Sequence, residues 1–371
     1  MSFKTYAEIN LDNLAHNIGC IREKVAPSAL IPVIKADAYG HGAVPVAKRL
    51  AGEGCAMFAV ARLEEAMELR ESGISQRILM LGRIFPQDIA RAVKAGVTLS
   101  IFGQEDLLWV EKVCEDIGTP AVAHLKIDSG MGRVGILLSK AADLFERLAK
   151  SRVCSWEGIY THFSTSDEKD KSYAGFQLSR FRELLAMLPN LARRPQIVHM
   201  AASGAILDLP DSYFNAVRPG ILMYGHYPSK EISRCIKPRQ VMSLKTYVAH
   251  LREMPGGYPV SYGRRWITPG QTRIAVLPIG YADGLSRRFT NNGEVLIRGR
   301  RYPIVGTVTM DYIMVNIANG PVAVGDEVLL WGESPDGVIQ AIDVAERIGT
   351  IPYELTCAVS GRVPRVYVGA R

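Results

Sequence analysis

The chain has 371 residues, 48% hydrophobic and 22% charged, a globular composition that excludes a disordered or fibrous protein. Its 44 basic residues outnumber 37 acidic ones, and the net charge of +7 suits a nucleic-acid binder or, equally, an enzyme with anionic ligands. No apolar run nears the ~20 residues of a membrane span, and the opening MSFKTYAEINLDNL lacks a signal-peptide core.

At roughly 100–200 residues per domain, the length implies two domains, or a large barrel with an extra module. Asp12, two residues before LAHNIGCIREKV begins, is expected to cap a first helix. Short β-rich runs then alternate with amphipathic stretches as far as Arg218. The expected strands are 30–35, 57–60, 78–81, 98–101, 122–127, 156–162, 196–200 and 214–218. Helical patterns fall between them at 62–72, 86–95, 105–117, 140–151 and 172–188. Alternation of this kind implies a parallel (β/α)₈ TIM barrel over residues 1–235.

After Cys235 the texture changes. VMSLKTYVAHL, TRIAVLPIGY, GEVLIRGRRYPIVGTV, DYIMVNI and DEVLLWG read as strands, separated by turns such as PGG, TPGQ, NNGE and ANGPVAVGD. A mostly β C-terminal domain is therefore expected over 236–371, joined by the β-like residues 1–10, with a polar linker near 229–238. The six cysteines lie far apart with no C-x-x-C pair, which argues against a disulfide framework or zinc site and for a reduced, cytoplasmic setting. No H-E-x-x-H or comparable spacing supports a metal. The scattered arginine pairs, such as Arg193 with Arg194, read as solvated surface rather than a nucleic-acid stripe. Met57, Met67 and Met80 read as core filler, and His41 and His199 as hydrogen-bonded structural residues.

Barrels of this type carry their chemistry at the C-terminal ends of the strands. Lys35 in PVIKADAYGHG, Lys126 and Arg133 in HLKIDSGMGRVG, His162, Ser203 and Arg218 all fall at such ends. Any one of these lysines reads as a snorkelling rim side chain; several cations converging on one rim ask for an anion. Ser203 with the backbone N–H groups of Gly220 and Ile221 forms a candidate phosphate cradle. A lysine in a closed apolar site has a lowered pKa and can attack a carbonyl. Together these features suggest pyridoxal phosphate, PLP. By residue type alone, a Schiff-base aldolase barrel with a phosphate site remains open.

PVIKADAYGHG resembles the PLP-attachment signature of the alanine racemases. The similarity continues in order through LKIDSGMGRVG, GIYTHFSTSDE, NAVRPGILMYG, PVSYGRRW, IGYADGL, VGTVTMDYIMVNI and TIPYE, nearly the whole chain. The resemblance implies a PLP-binding barrel followed by a β domain, and L-/D-alanine racemisation that supplies D-alanine for peptidoglycan.

It also implies roles. Lys35 holds PLP covalently and acts as one acid/base group, and Tyr262 in SYG is the other, on the opposite face of the substrate. By itself a tyrosine such as Tyr262 reads as strand-edge packing. Arg218 hydrogen-bonds the pyridine nitrogen and Arg133 the phenolic oxygen. Tyr39, Ser203, Gly220, Ile221 and Tyr353 hold the phosphate. His162 lies behind the ring, linked to Arg218 and Tyr262. Met310 binds the substrate carboxylate through its backbone, Asp311 supports it, Tyr281 narrows the access route, and Lys126 matches a lysine that is often carbamylated. The resemblance further implies a homodimer whose sites are shared, with Tyr262, Met310 and Asp311 crossing the interface.

Thr309 and the bulky, charged RRWITPG depart from the family pattern and point toward larger or charged amino acids, so a broad-specificity serine or lysine racemase is the first alternative. A PLP-dependent decarboxylase of the same barrel class is a second, although its cysteine motif and glycine-rich phosphate loop are not evident. A non-enzymatic PLP-binding protein is a third. The β domain with its second base argues against that one.

Overall fold

A ring of parallel strands organises the first part of the chain. The computed structural model describes residues 4–369 apart from 189, 190 and 192. Around the ring lie Ala29–Leu30, Ala216–Arg218, Ile197–Ala202, Cys154–Tyr160, Ala121–Asp128, Val97–Ile101, Arg77–Met80 and Met57–Val60. A parallel bridge between Val33 and Ala59 closes it. Every residue of Met57–Val60 and Val97–Ile101 is buried, as expected of strands covered on both faces. Helices on the outside include Leu63–Glu71, Pro86–Lys94, Gln104–Ile117, Ala141–Lys150 and Ser172–Leu185. The barrel expected from the alternating pattern is therefore present.

Two local expectations are corrected. The first helix, Leu11–Val25, is capped by Asn10, whose side-chain oxygen accepts from the N–H groups of Asp12 and Asn13. Asp12 sits inside the first turn, where a carboxylate favours the positive end of the helix. The first barrel strand also stops early. Pro32 offers no N–H to the ladder, and single bonds (Ile31 N to the Val217 carbonyl, Ala59 N to the Pro32 carbonyl, Val33 N to the Pro219 carbonyl, Ile34 N to the Ala59 carbonyl) carry the chain on to Lys35.

Lys35 then begins a turn of unusual hand. Ala36, Asp37, Ala38 and Tyr39 all have φ between 51° and 55°, a left-handed helical turn built without glycine. Such a conformation costs an L-residue about 1–2 kcal/mol each, so surrounding contacts must hold it. Glu65 accepts from the Ala36 N–H at 2.7 Å, and Asp37 from the Ala43 N–H at 2.6 Å. Arg365, from the far end of the chain, donates to the Gly40 carbonyl at 3.0 Å.

Beyond the barrel, ten strands form one sheet among the described residues, running from His250–Met254 at one edge to Arg365–Val368 at the other. Tyr6–Asn10 is one of them, antiparallel to Met242–Tyr247 and parallel to Arg365–Val368. Two short helices, Ala341–Arg347 and Pro352–Cys357, interrupt the β texture. The second packs on the Lys35 turn: Gly40 has φ +82°, and a Cβ there would run into the Thr356 carbonyl. A single hydrophobic core joins both parts, with Trp331, Tyr224, Phe58, Phe145 and Phe181 among its largest buried side chains.

Substitutions in this turn should act in opposite directions. Ala36 is exposed, so Ala36→Gly loses no packing and is expected to stabilise by about 1 kcal/mol. Gly40→Ala adds backbone strain and a collision, and is expected to cost about 2 kcal/mol or more. Urea denaturation of both variants checks the signs; stabilisation by Gly40→Ala would contradict the clamped turn.

Candidate active site

A cavity of about 490 Å³ opens at the C-terminal ends of the barrel strands. Lys35, Tyr39, Lys126, Arg133, His162, Ser203, Arg218, Gly220, Ile221 and Tyr353 all line it, ten of the residues singled out above. Four cations therefore face one carboxylate, that of Asp167.

Arg218 is buried at the cavity floor, in the last barrel strand. Its terminal nitrogens donate to the carbonyls of Thr161 (2.8 Å), Met200 (3.0 Å) and His199 (3.1 Å). They also meet the Nδ1 atoms of His199 at 2.7 Å and His162 at 3.1 Å. Burial lowers its pKa to about 10, so the guanidinium is still charged at neutral pH. His162 and His199 are held far below the usual imidazole range, first by burial and then by the Arg218 charge, so both are neutral acceptors.

The two lysines feel the same field. Burial, reinforced by Arg133 and opposed by Glu65 and Cys357, lowers Lys35. Lys126 falls to about 7 through burial and the charges of Arg218 and Arg133, with its Nζ donating to the Ile127 carbonyl at 2.7 Å. A neutral amine is a nucleophile; an ammonium is not. Arg133 reaches the cavity on a loop shaped by Asp128, whose carboxylate accepts from the N–H groups of Gly130, Met131 and Gly132. Burial opposes ionisation of Asp128, yet those N–H groups and Lys126 together hold it below the usual carboxylate range.

On the opposite wall, Ser203 Oγ accepts from the N–H groups of Gly220 (3.1 Å) and Leu222 (3.2 Å). A Cβ at Gly220 would sit 2.9 Å from the Tyr39 hydroxyl, so only glycine leaves the wall open there. Tyr39 and Tyr353 stand side by side with ring centroids 5.8 Å apart. Hydroxyls and backbone N–H groups clustered in this way suit a phosphate, as the surplus of cations suits an anionic ligand.

The remaining residues singled out in the sequence lie elsewhere. Tyr262, Tyr281, Met310 and Asp311 do not line the cavity of their own chain. Tyr262 is 75% exposed, on a turn whose carbonyl accepts from the Thr307 hydroxyl at 2.7 Å. Met310 and Tyr281 are exposed neighbours: the Tyr281 N–H bonds the Thr309 carbonyl at 3.0 Å, and that of Ala282 bonds the Met310 carbonyl at 3.1 Å. Asp311 pairs with Arg362 at 2.8 Å. Thr309 donates its hydroxyl to the Tyr312 carbonyl, so it builds the turn that presents Met310.

Sequence reasoning missed the deeper partners of the site. His199 is a buried, hydrogen-bonded residue as expected, but it is also the imidazole nearest Arg218, and Tyr160 stacks on it with ring centroids 4.7 Å apart. Alternation along the strand that holds His199 places its side chain inside the barrel, and this was the available signal.

Residues 9–228 match the family described as alanine racemase, N-terminal domain, and residues 241–367 match alanine racemase, C-terminal domain. Alanine racemase 2 of Caldanaerobacter subterraneus subsp. tengcongensis is 42% identical over 367 residues, covering 98% of this chain and 95% of that protein. The solved alanine racemase of Clostridium difficile 630 superposes with a TM-score of 0.92 at 38% identity, covering 99% of this chain and 96% of the other. A further solved structure is the Bartonella henselae alanine racemase with covalently bound pyridoxal phosphate. Its TM-score is 0.90 at 27% identity, with 99% of this chain and 100% of the other covered.

Proposed function

The chain belongs to the alanine racemase family, and on that premise we propose that it interconverts L-alanine and D-alanine using pyridoxal 5'-phosphate held in the barrel mouth. The observation that carries this reading is the cavity itself: a lysine of lowered pKa beside a hydroxyl-and-amide cradle, with Arg218 on the floor. The residues fit the group, since the wall is open at Gly220 and the cations outnumber the carboxylate. When bound, PLP supplies an electron sink for the charge that builds on Cα.

Each side chain then has a task. Lys35 holds the cofactor and moves a proton on one face of the substrate. Tyr39, Ser203, Gly220, Ile221 and Tyr353 hold the phosphate, and Arg133 the phenolic oxygen. The four terminal N–H donors of Arg218 are spent on carbonyls and imidazoles, so its Nε–H is the donor for the ring nitrogen. A guanidinium gives up its proton reluctantly, so Arg218 would donate to the ring nitrogen without protonating it.

Racemisation needs a second acid/base group on the opposite face, and Tyr262 takes that part. Its exposure, outside its own cavity, supports a homodimer in which Tyr262, Tyr281, Met310 and Asp311 of one copy complete the cavity of the other. In this arrangement Met310 and Asp311 orient the substrate carboxylate and Tyr281 narrows the access route. The product serves as a D-alanine source for peptidoglycan. We place the enzyme in the cytoplasm, reading its six cysteines as unpaired thiols.

Lys126 completes the electrostatics as a carbamate. Its Nζ lone pair bonds the carbon of CO₂ while one N–H proton leaves to solvent, which replaces a cation beside Arg133 and Arg218 with an anion. Only the neutral amine reacts. The folded pKa near 7 lies below the usual 10.5, so the neutral fraction is small at pH 6 and dominant at pH 8. At fixed ¹³CO₂ pressure, a carbamate ¹³C resonance should grow across that window and be missing from Lys126→Ala. A spectrum without it at pH 8 would refute the carbamate.

The catalytic assignment is tested with chiral chromatography of alanine and the visible absorbance of the bound cofactor. Lys35→Ala should lose both. Tyr262→Phe should keep the absorbance and lose racemisation by about 10²–10⁴-fold, the usual contribution of a positioned acid/base group. Undiminished cofactor absorbance in Lys35→Ala would overturn the reading.

A further inference from the structure

Arg218 is the first member of a hydrogen-bonded chain that leaves the active site and crosses the barrel core. It donates to His199 Nδ1 at 2.7 Å. His199 Nε2 lies 2.9 Å from His124 Nδ1, and His124 Nε2 lies 3.0 Å from a carboxylate oxygen of Glu157. The other Glu157 oxygen accepts from Arg77 at 2.7 Å. Arg77 opens its barrel strand, so the chain ends at the face opposite the cavity. Neither imidazole exposes any surface. Gly158 makes room for one of them: a Cβ there would sit 2.5 Å from the His124 ring.

The direction of every bond follows from the two ends. An arginine can only donate, so His199 Nδ1 accepts. Burial holds both histidines below the usual imidazole range, so each is neutral and carries one N–H. His199 therefore has its proton on Nε2 and donates to His124 Nδ1. His124 in turn has its proton on Nε2 and donates to Glu157. A carboxylate only accepts, which agrees with that end.

We propose that Glu157, acting through His124 and His199, is a positioning residue for Arg218: it fixes the Nε2–H form of both imidazoles and so keeps an acceptor pointed at the guanidinium. The proposal rests on the racemase reading only for its effect on turnover. It goes beyond that reading in assigning work to three residues that line no part of the cavity. Surface ion pairs contribute little as a rule, but here the half-exposed Arg77 decides which way a neutral substitute for Glu157 must turn.

Glu157→Gln makes this concrete. Arg77 can only donate, so the amide oxygen turns to Arg77 and the NH₂ faces His124 Nε2. That nitrogen must then accept, His124 takes its proton on Nδ1, and His199 follows. His199 Nδ1–H then points at an Arg218 N–H, donor against donor. In Arg77→Ala/Glu157→Gln the amide is released to present its oxygen to His124, and the original forms return.

The test is ¹⁵N NMR of the purified holoenzyme with labelled imidazoles, the His124 and His199 signals being assigned through single asparagine variants. The parent should show Nε2–H for both rings, Glu157→Gln should show Nδ1–H for both, and the double variant should revert. In alanine turnover, kcat of Glu157→Gln should fall about tenfold, the usual effect of losing one hydrogen bond to a charged group, with KM within about twofold. The double variant should recover most of kcat. An Nδ1–H signal for His199 in the parent overturns the proposal whether or not the variants fold. So does a Glu157→Gln protein that keeps both Nε2–H forms, or a double variant that recovers nothing. The imidazole signals are read without substrate, so a failure of the racemase reading leaves them interpretable.

Discussion

Arg218 is a cation sealed into the barrel, and the site depends on keeping it there. A buried charge without partners costs several kcal/mol, and here three carbonyls and two neutral imidazoles meet it. Its field reaches its neighbours. Second to burial, that field keeps His162 and His199 uncharged and lowers Lys126 to about 7. Arg133 acts on Lys35 in the same sense. Burial and one excess of positive charge thus lower both lysines, and the same charge creates a demand for an anionic ligand.

The second part of the chain reaches into that arrangement at the Lys35 turn. Four successive residues in the left-handed region would not persist by local preference. They are fixed by Arg365 on the Gly40 carbonyl and by the close approach of Pro352–Cys357, the helix that also carries Tyr353 into the cavity. The barrel supplies the lysine, and the β domain supplies much of the rigidity that aims it. This coupling explains why the core runs without a break across both.

Much of this was legible in the chain. Alternating β-rich and amphipathic runs specify the barrel because buried parallel strands and amphipathic helices have different periods. Strand ends then locate Lys126, Arg218 and their neighbours at one rim. The rest depends on contacts between residues distant in sequence. The left-handed turn at Lys35 contains no glycine before Gly40 and carries no local signal of its hand. Asn10, not Asp12, caps the first helix because the helix starts at Leu11, two residues before the apolar pattern suggests. The link from Arg218 to Glu157 needs four strands brought side by side, which no spacing along the chain encodes. Tyr262 was legible as a motif, whereas its place outside its own cavity appears only in three dimensions.

That separation makes the shared site the most exposed part of the proposed mechanism, and subunit mixing tests it directly. Lys35→Ala and Tyr262→Phe subunits, each nearly inactive alone, are unfolded together, refolded and assayed for alanine racemisation. If each site takes Lys35 from one copy and Tyr262 from the other, a mixed dimer has one doubly damaged site and one intact site. Random pairing makes roughly half the dimers mixed, so about a quarter of parental activity should return. If Lys35 and Tyr262 instead met within one chain, every site would keep a lesion. With exchange of subunits verified by mass-labelled chains, no recovery at all would contradict the shared site.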